Sequence, residues 1–214
     1  MVSVYVETGK KKVFASALDW PGWTRWGRDE GAALEALEVY RERYAAVPAA
    51  AGLQFPHGAL EVVDRIPGGG TTDFGAPEFP ASSDRRALPI EEAERMVALL
   101  QGAWAVLDAV FAIAPAELRK GPRGGGRDRD KMYDHVLEAE ANYARTIHVR
   151  SAALHVGDDT AIRAHRGAVA KALRGAVGDP DPAVTRWLPR YVARRMAWHV
   201  LDHAWEMEDR SRPD

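Results

Sequence analysis

Residues 188–209 read LPRYVARRMAWHVLDHAWEMED, and this stretch decides the fold of the C-terminal half. Apolar side chains and histidines recur in it at spacings of three and four, which places them on one face of a helix. We predict that this helix runs over about 183–209. A helix with such a face has to bury it against other helices. The face is formed by Leu188, Val192, Met196, His199 and His203.

Three further segments with helical periodicity precede this one. The segment after Pro89 is predicted to be helical to about Ile113, and its first turn is rich in glutamate, which complements the helix dipole. A second helix is predicted over about 128–149 and a third over about 159–176. Four amphipathic helices joined by short connections are typical of a four-helix bundle, which we place at residues 89–214.

The first 66 residues have a different pattern. Strand-like runs at 2–6 and 13–18 predict a β-hairpin, residues 29–47 predict a helix with Asp29 as its N-cap, and residues 60–63 predict a further strand. Residues 1–66 are therefore interpreted as a small β-β-α-β unit, and the fold class as α+β. The segment 67–88 has glycines and prolines but no periodicity, which indicates a linker or a packed arm.

Composition limits the classes of function. The chain has 214 residues, with 29 Lys and Arg against 31 Asp and Glu, and this near-neutral balance gives no signature of binding to nucleic acid or an anionic membrane. No apolar run approaches the roughly 20 residues of a membrane span. The N-terminal run places lysines after a strand-like segment, the reverse of a signal peptide, so we expect a cytoplasmic protein. Because cysteine is absent, any metal must be held by His, Asp or Glu.

Three histidines form the candidate metal site. His199 and His203 lie four residues apart on the predicted fourth helix, so both imidazoles can face one point. His135 lies beside the apolar face of the second helix. Three imidazoles suit Zn, Ni, Fe or Cu, and three protein ligands leave an open position for water or substrate. The alternative is that each is a neutral, hydrogen-bonded core histidine.

Four charged residues are candidates for supporting roles. Glu138 and Glu206 each lie three residues from a candidate ligand, where they could accept a hydrogen bond from it, act as a general base or form a solvent ion pair. Arg123 and Arg127 flank a glycine run and could steer a substrate carboxylate, although a flexible loop is the simpler interpretation.

Two further groups are interpreted as structural. The pair Arg194 and Arg195 is expected on a solvated or snorkelling helix face. His148, His155 and His165 have no partner at ligand spacing and are expected to be exposed or hydrogen-bonded.

Residues 127–150 (RDRDKMYDHVLEAE and onward) and 191–210 (YVARRMAWHVLDHAWEMEDR) resemble the DinB-like (DinB/YfiT) superfamily. The resemblance covers about residues 89–212, and His135, His199 and His203 match the family's three histidines in order and spacing. It implies a four-helix bundle that binds a divalent metal ion, Zn, Ni or Fe. It also implies a transferase or isomerase that acts on a small molecule with a low-molecular-weight thiol such as mycothiol or bacillithiol.

The N-terminal unit resembles the HicB-like fold, chiefly through Leu18-Asp19-Trp20-Pro21-Gly22-Trp23 within residues 12–37. That resemblance implies a hairpin, a Pro-Gly turn, a helix and a further strand. Two functions therefore stay open. One is a metal-dependent enzyme; the other is a non-catalytic binding or regulatory module that uses the HicB-like unit for protein interaction. A homodimer is expected in either case.

Overall fold

A computed structural model describes residues 1–120, 126–181 and 186–212. Its N-terminal part is a four-stranded mixed sheet with the strand order β3-β2-β1-β4. The first three strands pair antiparallel, whereas β4 pairs parallel with β1. The fold is therefore α+β, as the sequence indicates. The strands are β1 (Val2–Thr8), β2 (Val13–Ala17), β3 (Thr24–Gly27) and β4 (Leu60–Pro67).

The predicted β-β-α-β order misses strand β3. This strand has only four residues, too few for an alternating pattern, and it follows a tight turn at Gly22, where φ is +93°. Its pairing with β2 sets Thr24 opposite Ser16. A Cβ atom at Gly22 would lie 2.5 Å from Leu201, so this turn packs directly on the C-terminal helix.

The helix predicted over 29–47 is divided into three pieces: α1 (Glu30–Val39), α2 (Arg41–Tyr44) and α3 (Ala46–Ala50). Its predicted start is correct, because the Asp29 carboxylate accepts a hydrogen bond from Ala32 N at 2.8 Å. Pro48 lies in the first turn of α3, where its missing N–H costs nothing. Within one continuous helix Pro48 would remove a backbone hydrogen bond, which favours the start of a new helix at Ala46.

The segment 67–88 lies against the sheet. It contains α4 (Gly70–Phe74) and a 3-10 turn at Ser82–Arg85. The buried Glu7 carboxylate on β1 accepts hydrogen bonds from the Thr72 hydroxyl at 2.5 Å and from the backbone N–H groups of Glu78 and Phe79 at 2.8 and 3.0 Å. These bonds hold the segment in place.

Four long helices form the C-terminal part: α5 (Ile90–Ile113), α6 (Arg129–Ala144), α7 (Asp159–Arg174) and α8 (Pro189–Ser211). Helix α8 packs against α5 and α6, and α7 packs against the same two helices. Helix α6 ends earlier than predicted and continues as a 3-10 turn to Ile147. Helix α8 begins at Pro189, which suits a first helical position, so the described residues 186–188 lie before it; residues 183–185 of the predicted helix lie outside the described residues.

Sheet and helices share one hydrophobic core, which includes Val4 and Trp23 on one side and Leu100 and Val200 on the other. Helix α8 lies at its centre, since every residue from Leu188 to Leu201 is buried. By length and composition α5 could cross a membrane, which the sequence expectation missed. The core helix of a soluble protein has the same properties, and α5 has nine buried residues.

Candidate metal centre

The structure brings His135 of α6 together with His199 and His203 of α8. One nitrogen from each ring can be chosen so that all three lie within 4.8 Å of one another. The ring centroids of His199 and His203 are 4.6 Å apart, and those of His135 lie 5.1 and 5.0 Å from them. The i, i+4 spacing on α8 aligns two rings, and the packing of α6 on α8 supplies the third.

Glu206 fixes the orientation of one ring. Its Oε2 lies 3.1 Å from His203 Nδ1, and its Oε1 accepts a hydrogen bond from Arg210 at 2.9 Å. The hydrogen bond to His203 keeps the pKa of Glu206 below its usual value, so the carboxylate is ionised and can only accept. Nδ1 of His203 therefore donates the hydrogen bond to this carboxylate.

The other two rings are held in the neutral form. Burial is the main cause that lowers the pKa of His199, well below its usual value, and the nearby His203 and Arg195 lower it further. Burial also lowers the pKa of His135, with His203 and Arg127 as further causes. A neutral imidazole is the form that binds a metal ion. Nδ1 of His199 is buried and has no hydrogen-bond partner among the described residues.

The donor set fits a divalent transition metal. Three imidazole nitrogens in a partly buried site match the preference of Zn and neighbouring transition metals for imidazole. A Zn–N distance of about 2.0–2.1 Å requires nitrogens about 3.3 Å apart in a tetrahedral site. The 4.8 Å limit exceeds this value, so the rings would have to move inward by side-chain rotation.

A cavity of about 630 Å³ borders His135. One wall is formed by Arg127 and by a face of α6 that includes Glu138, and the other is the loop 151–155. This loop is fixed by a 2.7 Å hydrogen bond from Val156 N to the Asp134 carboxylate. The volume lies in the range of small-molecule sites.

The predicted supporting residues have different surroundings. Arg127 and Glu138 line the cavity, and among the described residues neither side chain forms a hydrogen bond or an ion pair. Glu206 makes the contact with His203 that its spacing allows. Arg123 lies outside the described residues.

The prediction that Arg194 and Arg195 lie on a solvated or snorkelling helix face is wrong, because both are buried on α8 and only 4% and 8% exposed. The guanidinium of Arg195 lies 4.5 Å from the ring centroid of Trp198 and 5.1 Å from that of Tyr143. Both aromatic rings also neighbour His199, at centroid distances of 6.1 and 5.8 Å. Charge patterning alone gave no signal for this burial, because it assumes a solvent-facing side of the helix.

His165 also departs from expectation. It is 3% exposed, and both of its ring nitrogens lack a hydrogen-bond partner among the described residues. His165 is therefore neither exposed nor hydrogen-bonded, and it takes no part in the three-histidine cluster.

Comparison with known proteins gives no further information about the function of this site. No protein-family model matches the chain, and neither the curated proteins nor the solved structures gave a match. The functional proposal therefore rests on the geometry of the three histidines and on the cavity beside His135.

Proposed function

We propose that the chain is a metal-dependent enzyme that holds a divalent ion with His135, His199 and His203 and transfers a low-molecular-weight thiol to a small molecule or isomerises that molecule with the thiol's help. The observation that carries the proposal is the convergence of three imidazole nitrogens within 4.8 Å. The resemblance to the DinB-like superfamily supports it. We also propose that α5 to α8 form the four-helix bundle of that family.

Each residue has a defined task in this proposal. When a metal is bound, each of the three imidazoles would donate a lone pair, and the contact of Glu206 with His203 Nδ1 leaves Nε2 as the metal ligand of that ring. A divalent ion bound by three protein ligands keeps an open position, where it lowers the pKa of a thiol or water. Glu138 on the cavity wall is placed to take up a proton from a molecule bound beside His135.

The cavity favours the enzyme over the non-catalytic module. A scaffold that only presents the N-terminal unit to a partner needs no space beside its histidines. Here about 630 Å³ opens directly on His135. A volume of this size accommodates a small molecule and a thiol tail.

A thiol alkylation assay tests the proposed function. The zinc-loaded full chain is mixed with mycothiol or bacillithiol, and chlorodinitrobenzene is the electrophile. A sulfur–carbon bond forms, chloride leaves, and the thiol proton passes to solvent. We expect the chain to accelerate thiol consumption at neutral pH and His199→Ala to abolish the acceleration.

The matched control for this assay is His57→Ala, because His57 is exposed and lies outside both the cavity and the three-histidine cluster. We expect this variant to keep the acceleration. Equal rates with and without the zinc-loaded protein, for both thiols, would overturn the proposed chemistry.

A further inference from the structure

Arg210 holds the carboxylate that contacts His203. Its Nη1 donates a hydrogen bond of 2.9 Å to Glu206 Oε1, while Glu206 Oε2 lies 3.1 Å from His203 Nδ1. Each oxygen of this carboxylate therefore has a partner of its own on α8, four residues after it and three residues before it. A glutamate side chain has several rotatable bonds, so the second partner restricts the positions from which the first contact can be made.

Arg210 is fixed in turn by residues outside α8. Its Nε donates a 2.7 Å hydrogen bond to the carbonyl oxygen of Arg119, and the Arg119 N–H donates one of 3.0 Å to the Arg210 carbonyl oxygen. Gly126 lies against the guanidinium, because a Cβ atom at this glycine would be 2.7 Å from Nη2 and 2.9 Å from Nη1. Both residues belong to the α5–α6 connection, of which the structure describes residues 114–120 and 126–128. The backbone of this connection therefore determines where the Arg210 guanidinium lies.

The ion pair between Arg212 and Glu208 shows what an ordinary arginine of α8 looks like. It has the same i, i+4 spacing, but its N–O distance is 3.4 Å and the Arg212 side chain is 68% exposed. An exposed pair of this kind contributes little to stability. The Arg210 side chain is only 11% exposed. Arg210 also differs in its contact with a second element and in a glutamate partner that contacts a histidine.

The α5–α6 connection also reaches the cavity. Arg127 follows Gly126 directly and lines the cavity beside His135. Two consecutive residues of the connection therefore contact the Arg210 guanidinium and form part of the cavity wall. A change in the position of this backbone would alter both the cavity and, through Arg210, the surroundings of His203.

We propose that Arg210 is a positioning residue for His203, which it orients through Glu206, and that it makes this orientation depend on the α5–α6 connection. The inference rests on the proposed function and names a way in which its metal site can be regulated. A ligand ring that is already oriented loses less freedom when it binds a metal ion, so the affinity is higher. Arg210 acts on the ring and not on a bound molecule, so its effect appears in the metal affinity and in the state of the ring.

The test uses the full chain and two readouts. Zinc affinity is measured by competition with a chromophoric chelator. In the metal-free chain at alkaline pH, long-range proton–nitrogen NMR shows which nitrogen of the neutral His203 ring carries its one proton, and the signal missing in His203→Ala assigns the ring. The variants are Arg210→Met, which removes the cation, and Arg210→Lys, which keeps a cation but loses the planar fork. Arg212→Met is the control, because it removes the exposed i, i+4 pair on the same helix.

We expect Arg210→Met to bind zinc about 10-fold more weakly than wild type, at the low end of the range for partners that orient a metal ligand, because Glu206 is still present. In wild type the proton should lie on Nδ1 of His203, toward Glu206, and in Arg210→Met it should be shared between the two nitrogens. Arg210→Lys should recover part of both effects, and Arg212→Met should match wild type.

Gly126→Ala tests the dependence on the α5–α6 connection, because the added methyl group would displace the Arg210 guanidinium. Gly157→Ala is its control, since Gly157 also has a positive φ but nothing within 4 Å of an added Cβ atom. Gly126→Ala should weaken zinc binding and Gly157→Ala should not. In the Arg210→Met background Gly126→Ala should cause no further loss, because the guanidinium is already gone. A further loss there would contradict the link between the connection and Arg210.

An unchanged proton position on His203 in Arg210→Met, or an unchanged zinc affinity, would overturn the inference. A wild-type His203 with its proton on Nε2 would overturn it as well. If wild type binds no zinc, the proposed function fails, and the NMR comparison of the metal-free chains still decides whether Arg210 orients His203. If circular dichroism shows that Arg210→Met does not fold, Arg210→Lys and Gly126→Ala provide both readouts.

Discussion

Glu206 Oε2 lies 3.1 Å from Nδ1 of His203, and this contact leaves Nε2 as the nitrogen of that ring that can bind a metal ion. Partners of this kind raise the basicity of a ligand histidine and hold its orientation. We predict that Glu206→Gln weakens metal binding by about 10- to 100-fold, because the amide is uncharged and can also present a donor to Nδ1. Competition with a chromophoric chelator measures the affinity.

The matched control is Glu208→Gln on the same helix. Glu208 pairs with Arg43, at 2.5 Å, on another side of α8. Loss of the Glu208 carboxylate should leave the metal affinity unchanged. Equal weakening by both substitutions would show a general loss of stability of α8 and not a role for Glu206 in orienting His203.

Arg194 and Arg195 give a paired stability prediction. Arg194→Met leaves the fully buried Asp84 carboxylate without its cation, which should lower the free energy of unfolding by about 3–5 kcal/mol. Arg195→Met leaves no carboxylate behind, so its cost should be smaller by several-fold. Urea denaturation followed by circular dichroism compares the two variants, and equal costs would contradict the assignment of Arg195 as an uncompensated charge.

His165 predicts a pH dependence of stability. Burial is the main cause that lowers its pKa, and Arg166 lowers it further. Below about pH 6.5 the unfolded chain therefore binds a proton that the folded chain does not. Stability must then fall as the pH falls, by up to about 1.4 kcal/mol per pH unit from this residue.

His165→Leu removes this titration and the two buried ring nitrogens without partners. We predict that this variant is more stable than wild type and that its stability changes less between pH 7 and pH 5. Chelated protein is used in both cases so that metal release does not contribute. Parallel pH profiles for the two proteins would rule the explanation out.

Gly22 links the N-terminal sheet to α8. Its φ of +93° disfavours other residues, and a Cβ atom there would lie 2.5 Å from Leu201. Gly157 has a φ of +91° but nothing within 4 Å of such an atom. Gly22→Ala should therefore destabilise the chain by about 1–3 kcal/mol more than Gly157→Ala. Thermal unfolding measures both; similar losses would mean that backbone conformation alone explains the effect.

Periodicity was sufficient to predict much of the fold. The four long helices, the Asp29 cap and the α+β class follow from spacing and capping residues. Strand β3 was missed because four residues carry no pattern, and its pairing with β2 depends on tertiary context.

The same difference between local sequence pattern and tertiary context applies to the candidate metal site. His199 and His203 share a helix face, so their proximity follows from spacing, whereas the approach of His135 depends on how α6 packs on α8. The burial of Arg194 and Arg195 could not be read from the sequence, because other parts of the chain cover α8. Phe14 of the sheet contacts Trp198, and Asp84 from the segment 67–88 pairs with Arg194.

The most direct test of the account is the metal content of the full chain, purified without a histidine tag and measured by elemental mass spectrometry. We predict equimolar Zn, Ni or Fe in wild type and in His155→Ala, and loss of the metal in His135→Ala, His199→Ala and His203→Ala. Wild type that retains no metal after loading with each of these ions, or His199→Ala that retains the wild-type amount, would contradict the three-histidine metal centre.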